Sequence, residues 1–291
     1  MDHRARPYRS VLYIPCSNAR ALSKAKTLRV DAIIFDLEDA VTIEQKANAR
    51  ALLAETLHAG GYGTRVQIVR INGLDTPWAE ADLDVISEVA PQAILLPKVN
   101  SAKDIEVLAA KLDTRPETSQ TMIWAMMETP LGILNAAEIA AAPRMAGLVL
   151  GTNDLAMDLG SRTRPDREPL LMALQLCLLG ARAHGLICVD GVYNAFKDED
   201  GLRAECTQGR DMGFDGKTLI HPAQIAIAND AFAPSEAEIT LAHRQIAAFE
   251  AVKAQGQGVA VVDGKIVENL HVETAKATLA KSDAIKQIEA G

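Results

Sequence analysis

The stretch IIFDLEDAV, residues 33–41, decides how the rest of the chain is read. Ile33, Ile34, Phe35 and Leu37 suit a strand buried on both faces, yet Asp36 stands among them and Glu38 and Asp39 follow at once. A buried carboxylate favours its neutral form or demands a cation. Three within four residues must therefore serve as salt-bridge partners, as helix caps, or as part of a charged site.

Working outward, the same kind of apolar run returns at RSVLYIP (9–15), RVQIVRIN (65–72), AILLPKV (93–99), MIWAMMET (122–129), GLVLGTND (147–154), LICVDGV (186–192) and GKTLIHP (216–222). With AIIFDLE (32–38) this makes eight strands. Ala- and Leu-rich helical segments lie between them, among them 44–57, 101–112 and 166–183. A repeating unit of about 28 residues suits an α/β architecture, the (β/α)8 TIM barrel, in which strands and helices alternate. No Gly/Ser-rich or Pro-rich linker interrupts the chain before residue 229, so residues 1–229 are expected to form one catalytic barrel. Residues 230–291 read differently: a helix near 235–255, a hairpin in VAVV-DG-KIV, and a second helix from about 271. Asp-Gly between alternating apolar residues is a strong hairpin signal. This extension is expected to be an arm outside the barrel.

A barrel makes a statement about where charge falls, because active sites sit at the C-terminal ends of its strands. Here the second strand ends in Asp36, Glu38 and Asp39, the third in Arg70 and Asn72, the fourth in Lys98, and the fifth in Glu128. Asn153 and Asp154 close the sixth, Asp190 the seventh and His221 the eighth. Period-2 alternation puts Asp36 and Glu38 on one face, as it does Met126 and Glu128. Glu128 and Asp154 close adjacent strands with no Cys or paired His nearby, a donor set that suits a hard ion such as Mg2+. Taken singly, each reads equally well as a helix cap or an Arg partner. Lys98 admits a rival reading as a Schiff-base lysine, which needs a desolvated amine of lowered pKa. Surrounding carboxylates favour a charged, paired lysine instead.

The 291-residue chain carries a formal net charge of -8 and lacks clustered Lys and Arg, which argues against nucleic acid as a partner. Cys16, Cys177, Cys188 and Cys206 show no CxxC spacing and read as buried thiols in a reducing cytoplasm. The N-terminal MDHRARPYRSVLYIP is basic and then apolar, but VLYI is too short for a signal peptide's core and Pro15 ends it. No stretch reads as a membrane span, so the expected address is cytoplasmic. GFDGKT (213–218) does not make a phosphate loop: Asp211 stands where the first Gly should be, and a strand follows instead of preceding it. His3, His58, His184, His243 and His271 are scattered and read as surface or packing residues.

Read in order, RSVLYIP, DAIIFDLEDAVTIEQKANAR, VRINGLDTPW, ILLPKV, METPLGILNAAEIA, GLVLGTNDLAMDLG, DGVYNAFKDEDG and GFDGKTLIHPAQI resemble the citrate lyase beta subunit family of the HpcH/HpaI aldolase superfamily. The resemblance implies a Mg2+-dependent carbon-carbon lyase (a CoA-ester lyase) acting on a 3-hydroxyacyl thioester: citramalyl-CoA giving acetyl-CoA and the 2-keto acid pyruvate, malyl-CoA giving glyoxylate, or a citryl thioester. It implies metal ligands at Glu128 and Asp154, and at Arg70 an arginine that contacts the keto-acid carboxylate and the reactive oxygen. Asp36, Glu38 and Asp39 would hold the metal's waters and orient Arg70. Arg9, Lys24 and Lys26 would lie near the CoA phosphates, with Lys98 also on the substrate side. The family further implies that an acid on the C-terminal arm, here Glu268, closes the site of a neighbouring subunit in a homotrimer or hexamer. Two positions depart from the family pattern, Cys16 after Pro15 and Gly73 after Asn72, both on loops expected to face substrate.

Overall fold

The computed structural model describes residues 6–290, so the start of the chain, with His3, lies outside the described residues. The described residues divide into two compact units, Tyr8–Phe232 on one hand and 233–290 with Arg6 and Pro7 on the other.

In the larger unit the strands are β1 (Ser10–Pro15), β2 (Ala32–Asp36), β3 (Val66–Arg70), β4 (Ala93–Leu96), β5 (Met122–Met127), β6 (Met145–Leu150), β7 (Ile187–Asp190) and β8 (Gly216–Leu219). They pair in sequence order and close, β1 meeting β8, into a parallel barrel. The helices between them are α1 (Ala19–Ala25), α2 (Lys46–Ala59), α3 (Ala79–Val89), α4 (Ala102–Asp113), α5 (Pro130–Leu134), α6 (Ala136–Ala140), α7 (Thr152–Asp158), α8 (Leu171–Ala183), α9 (Glu199–Met212) and α10 (Ile225–Phe232). The expected TIM barrel is thus the observed one. One helix starts late: α8 begins at Leu171 instead of 166, because Arg167 has a left-handed backbone (φ 54°) and Pro169 sits in a short 3-10 turn.

Each strand is buried on both faces, and alternation sorts its side chains between two cores. Leu12, Ile33, Phe35, Val69 and Ile94 pack outward against the helices. Val11, Ile34, Ile68, Leu95, Trp124 and Val149 fill the barrel interior. Gly147 makes room for the largest of these, since a Cβ there would lie 2.5 Å from the Trp124 ring. The same alternation turns Tyr13, Asp36, Arg70 and Met126 inward, one step above the interior layer at the C-terminal rim. Register adds a further constraint: Asp36 on β2 lies directly opposite Arg70 on β3.

The smaller unit consists of α11 (Glu236–Lys253), β9 (Ala260–Val262), β10 (Lys265–Val267) and α12 (Asn269–Ala290). β9 and β10 are an antiparallel hairpin whose turn residues Asp263 and Gly264 both have positive φ, 52° and 74°, as an Asp-Gly turn requires. Phe249, Ala260, Val262, Val267 and Val272 form its own small core.

Candidate active site

Asp36 grips Arg70 with both oxygens: Nε donates to Oδ1 at 2.7 Å and Nη2 to Oδ2 at 2.5 Å. Asp36 is itself fully buried, and its oxygens also accept the backbone N–H groups of Glu38 and Ala40 at 2.9 and 3.1 Å. Glu38 and Asp39 approach Nη1 at 2.9 and 3.4 Å. The three acids of the opening stretch are therefore a cradle around one arginine. Burial works to lower the Arg70 pKa, but the Asp36 charge and hydrogen bonds outweigh it, so the guanidinium stays charged. Burial first, with repulsion from Asp39 and Asp36, pushes the Glu38 carboxyl up to about 7 against the pull of Arg70.

The loop carrying Glu38 is held from below by Lys46, a residue that sequence reasoning passed over. Its ammonium donates to the carbonyls of Leu37 and Glu38, both at 2.8 Å, and to Asn72 Oδ1 at 2.7 Å. Asn72 in turn donates to Leu37 O and to buried Asp82, which pairs with Arg50 at 3.1 Å. The available signal was a lysine opening an otherwise Ala/Leu helix straight after the acidic loop.

Across the mouth, Glu128 follows β5 and is 1% exposed. Its Oε1 accepts the backbone N–H of Lys98 at 2.8 Å, while its buried Oε2 has no hydrogen-bond partner. Burial, opposed by that N–H and reinforced by Asp154, raises its pKa to about 7. Gly151 is required beside it, because a Cβ there would lie 2.4 Å from Glu128 Cβ and 2.6 Å from Oε2. Asp154 stands in the first turn of α7, with Lys98 Nζ 3.9 Å away. Lys98 has a left-handed backbone (φ 52°) and an exposed side chain. Burial would lower its pKa, but Glu38, Asp154, Asp39 and Glu128 more than compensate and raise it. That direction opposes a Schiff-base role, which needs a neutral amine.

An orphaned buried carboxylate oxygen facing a second carboxylate, with Lys98 as the nearby cation, is a donor set short of positive charge. Among the described residues no three His, Cys, Asp or Glu side chains gather into a full metal cage. The pair therefore fits a hard ion that keeps several waters, as Mg2+ does, and does not fit a zinc cage. A cavity of about 300 Å³ connects the two halves, lined by Tyr13, Asp36, Arg70, Met126, Gly151 and Asp154 among others.

Other expected residues fall elsewhere. Arg9 precedes β1, at the opposite rim, where it is 3% exposed and locked on Asp31 through two 3.0 Å hydrogen bonds. Lys24 is in the last turn of α1, and Lys26 just past it lies 5.4 Å from the ring of Tyr62, in the loop that enters β3. His221 stacks on Phe196 at 4.5 Å, and its Nδ1 accepts the Ala223 N–H. Asp190 is closed into a buried ion cluster with Arg167, Lys217 and Glu205. Cys16 is fully buried, and burial raises its thiol pKa well above normal, which leaves it a packing residue. Glu268, in the smaller unit, is exposed at the start of α12, its N–H donating to His271 Nδ1 at 3.1 Å.

Comparison with known proteins supplies a frame for this geometry. Residues 9–222 match the family model described as HpcH/HpaI aldolase/citrate lyase. A (3S)-malyl-CoA thioesterase of Cereibacter sphaeroides is 64% identical over 290 residues, covering 100% of both chains. The citrate lyase subunit beta of Escherichia coli is 34% identical over 97% of this chain and 95% of its own length. The crystal structure of CitE from Mycobacterium tuberculosis with magnesium, acetoacetate and coenzyme A superposes with a TM-score of 0.78 at 28% identity, covering 96% of this chain and 99% of that one. This chain accordingly belongs to the HpcH/HpaI aldolase/citrate lyase family of enzymes.

Proposed function

We propose that this protein is a Mg2+-dependent enzyme acting on a malyl-type 3-hydroxyacyl-CoA, and that its net reaction is hydrolysis of the thioester. The observation that carries the metal and substrate reading is the partnerless buried Oε2 of Glu128, near Asp154, which shares a small cavity with the clamped arginine. Support for hydrolysis comes from the 64% identical malyl-CoA thioesterase, whose likeness extends over both chains in full. The expectation of citramalyl-CoA gives way to malyl-CoA on the same ground.

Glu128 and Asp154 would hold the ion. When bound, Mg2+ supplies charge that fixes a hydroxy-acid end and polarises the adjacent oxygen. Arg70, immobilised by Asp36, presents a guanidinium to the oxygen that becomes negative. Glu38 and Asp39 would order water at the metal side and keep Arg70 aligned. In hydrolysis a water oxygen bonds to the thioester carbon, the C–S bond breaks, and CoA leaves as a thiol after taking up a proton. Malate keeps the new carboxylate.

The same donors suit carbon-carbon cleavage, in which the hydroxyl proton is removed and the bond to the acetyl unit breaks to an enolate that is then protonated. Likeness to citrate lyase subunit beta favours this second reading. In it, residues 230–291 act as a lid and Glu268 supplies the proton over a neighbour's mouth in a homotrimer or hexamer. Four buried free cysteines agree with a reducing, cytoplasmic setting. Incubating the protein with malyl-CoA and with citramalyl-CoA in Mg2+, then separating products, tests the proposal. Malate with free CoA is the expected result; acetyl-CoA with glyoxylate or pyruvate selects the lyase, and no turnover of either ester removes both.

A further inference from the structure

Tyr13 enters the cavity from β1 and lays its ring under Arg70, with the guanidinium carbon 5.0 Å from the ring centre. The ring thus supports the cation through its π face. Its hydroxyl does something else. The only hydrogen-bond partner it finds among the described residues is the Met126 thioether, at 3.7 Å. Arg70 Nη1 points to that same sulfur, at 3.8 Å, in addition to its approaches to Glu38 and Asp39. Two good donors, from β1 and β3, therefore converge at the rim on one of the weakest acceptors a protein owns.

The other donors of the site find better acceptors: the Asp36 fork, the Lys46 anchor and the Lys98 N–H all end on oxygen at 2.5 to 2.8 Å. At the sulfur the match fails, and it fails inside the cavity. Met126 is unbranched and adaptable, so it can withdraw when a better acceptor arrives. Burial also keeps the phenol protonated by raising its pKa, an effect larger than the opposing pull of Arg70.

We propose that Tyr13 is a further catalytic residue, whose hydroxyl donates alongside Arg70 Nη1 to the substrate oxygen that gains negative charge as the thioester reacts. The inference rests on the thioester reading of the site and adds to it a neutral donor. A lone Arg70, ringed by three acids, is largely neutralised; a phenol beside it strengthens the oxyanion contact without adding charge to the resting site.

Tyr13→Phe removes one oxygen and keeps the ring on Arg70; Tyr13→Leu removes both. Thiol release from malyl-CoA should fall about 100-fold in kcat for the Phe variant, the usual scale for one lost oxyanion donor, with KM within about threefold. Calorimetric titration of oxalate, a compact dianion, in the presence of Mg2+ should show at least about tenfold weaker binding to the Phe variant, the effect of one hydrogen bond to a charged group. A Phe variant with wild-type kcat and oxalate affinity overturns the proposal, as does a loss confined to Tyr13→Leu, which would make the ring alone important. A Phe variant that fails to fold makes the hydroxyl structural and overturns it too. A wild-type protein that binds oxalate but releases no thiol overturns the thioester reading instead, and the oxalate comparison still decides Tyr13.

Discussion

Asp36→Ala tests the cradle most sharply, because the lost carboxylate is fully buried and accepts four hydrogen bonds, two from Arg70 and two from the backbone of its own loop. Removing one partner of a buried ion pair costs about 3–5 kcal/mol, since the other charge remains without compensation. Glu38 and Asp39 still face Nη1 in the variant, which places the cost near the lower end, about 3 kcal/mol. At about 2–4 °C per kcal/mol for a domain of this size, the barrel's melting point should drop by about 6–12 °C. Asp36→Asn, which keeps one acceptor oxygen but turns an amide N–H toward Arg70, should recover only part of that loss. Differential scanning calorimetry checks the shift, and urea unfolding with an unchanged slope shows that stability itself has moved. A fall below about 2 °C for Asp36→Ala would refute the claim that this pair is an integral part of the barrel rim.

Arg70→Lys keeps a charge but loses the planar fork matched to Asp36, so turnover should drop by orders of magnitude, whereas wild-type kinetics would leave Arg70 a purely structural part. Gly151→Ala drives a methyl into Glu128; a cost of about 1–3 kcal/mol and a weakened Mg2+ affinity in titration are expected, and unchanged affinity would mean Glu128 moves without consequence. On the carbon-carbon cleavage reading, deleting residues 258–291 should leave a folded barrel that still binds Mg2+, while exchange of solvent deuterium into acetyl-CoA slows by about 100-fold. Mixing Glu268→Gln with Arg70→Ala subunits should restore part of that exchange; none returning after verified subunit exchange would end the shared-site proposal.

How far the chain could be read without its structure follows from what each signal depends on. The barrel was legible because strands buried on both faces must be apolar runs, and alternation within them already turned Asp36 and Met126 inward. The hairpin at 260–267 was equally plain, since Asp-Gly serves a turn that few other residues accept. The roles of Lys46 and Asp82 were not legible, even with Lys46 standing out at a helix start, because what buries a polar residue is a partner distant in sequence, here Asn72 and Arg50. Arg9 illustrates the converse. Charge at the edge of an apolar run does not say which rim it occupies, and Asp31 holds Arg9 before β1 begins. Tyr13 escaped notice for a different reason: in sequence it is one more apolar residue of a strand, and only the shared sulfur reveals its hydroxyl.

The central claim is that Glu128 and Asp154 hold a Mg2+ ion on which thioester turnover depends. It is tested most directly by following thiol release from malyl-CoA for the wild type and Glu128→Ala, each after EDTA treatment and again with Mg2+ restored. EDTA should abolish wild-type release and Mg2+ restore it, while Glu128→Ala stays folded and inactive in either state. Undiminished release by Glu128→Ala in Mg2+, or by EDTA-treated wild type, would contradict it.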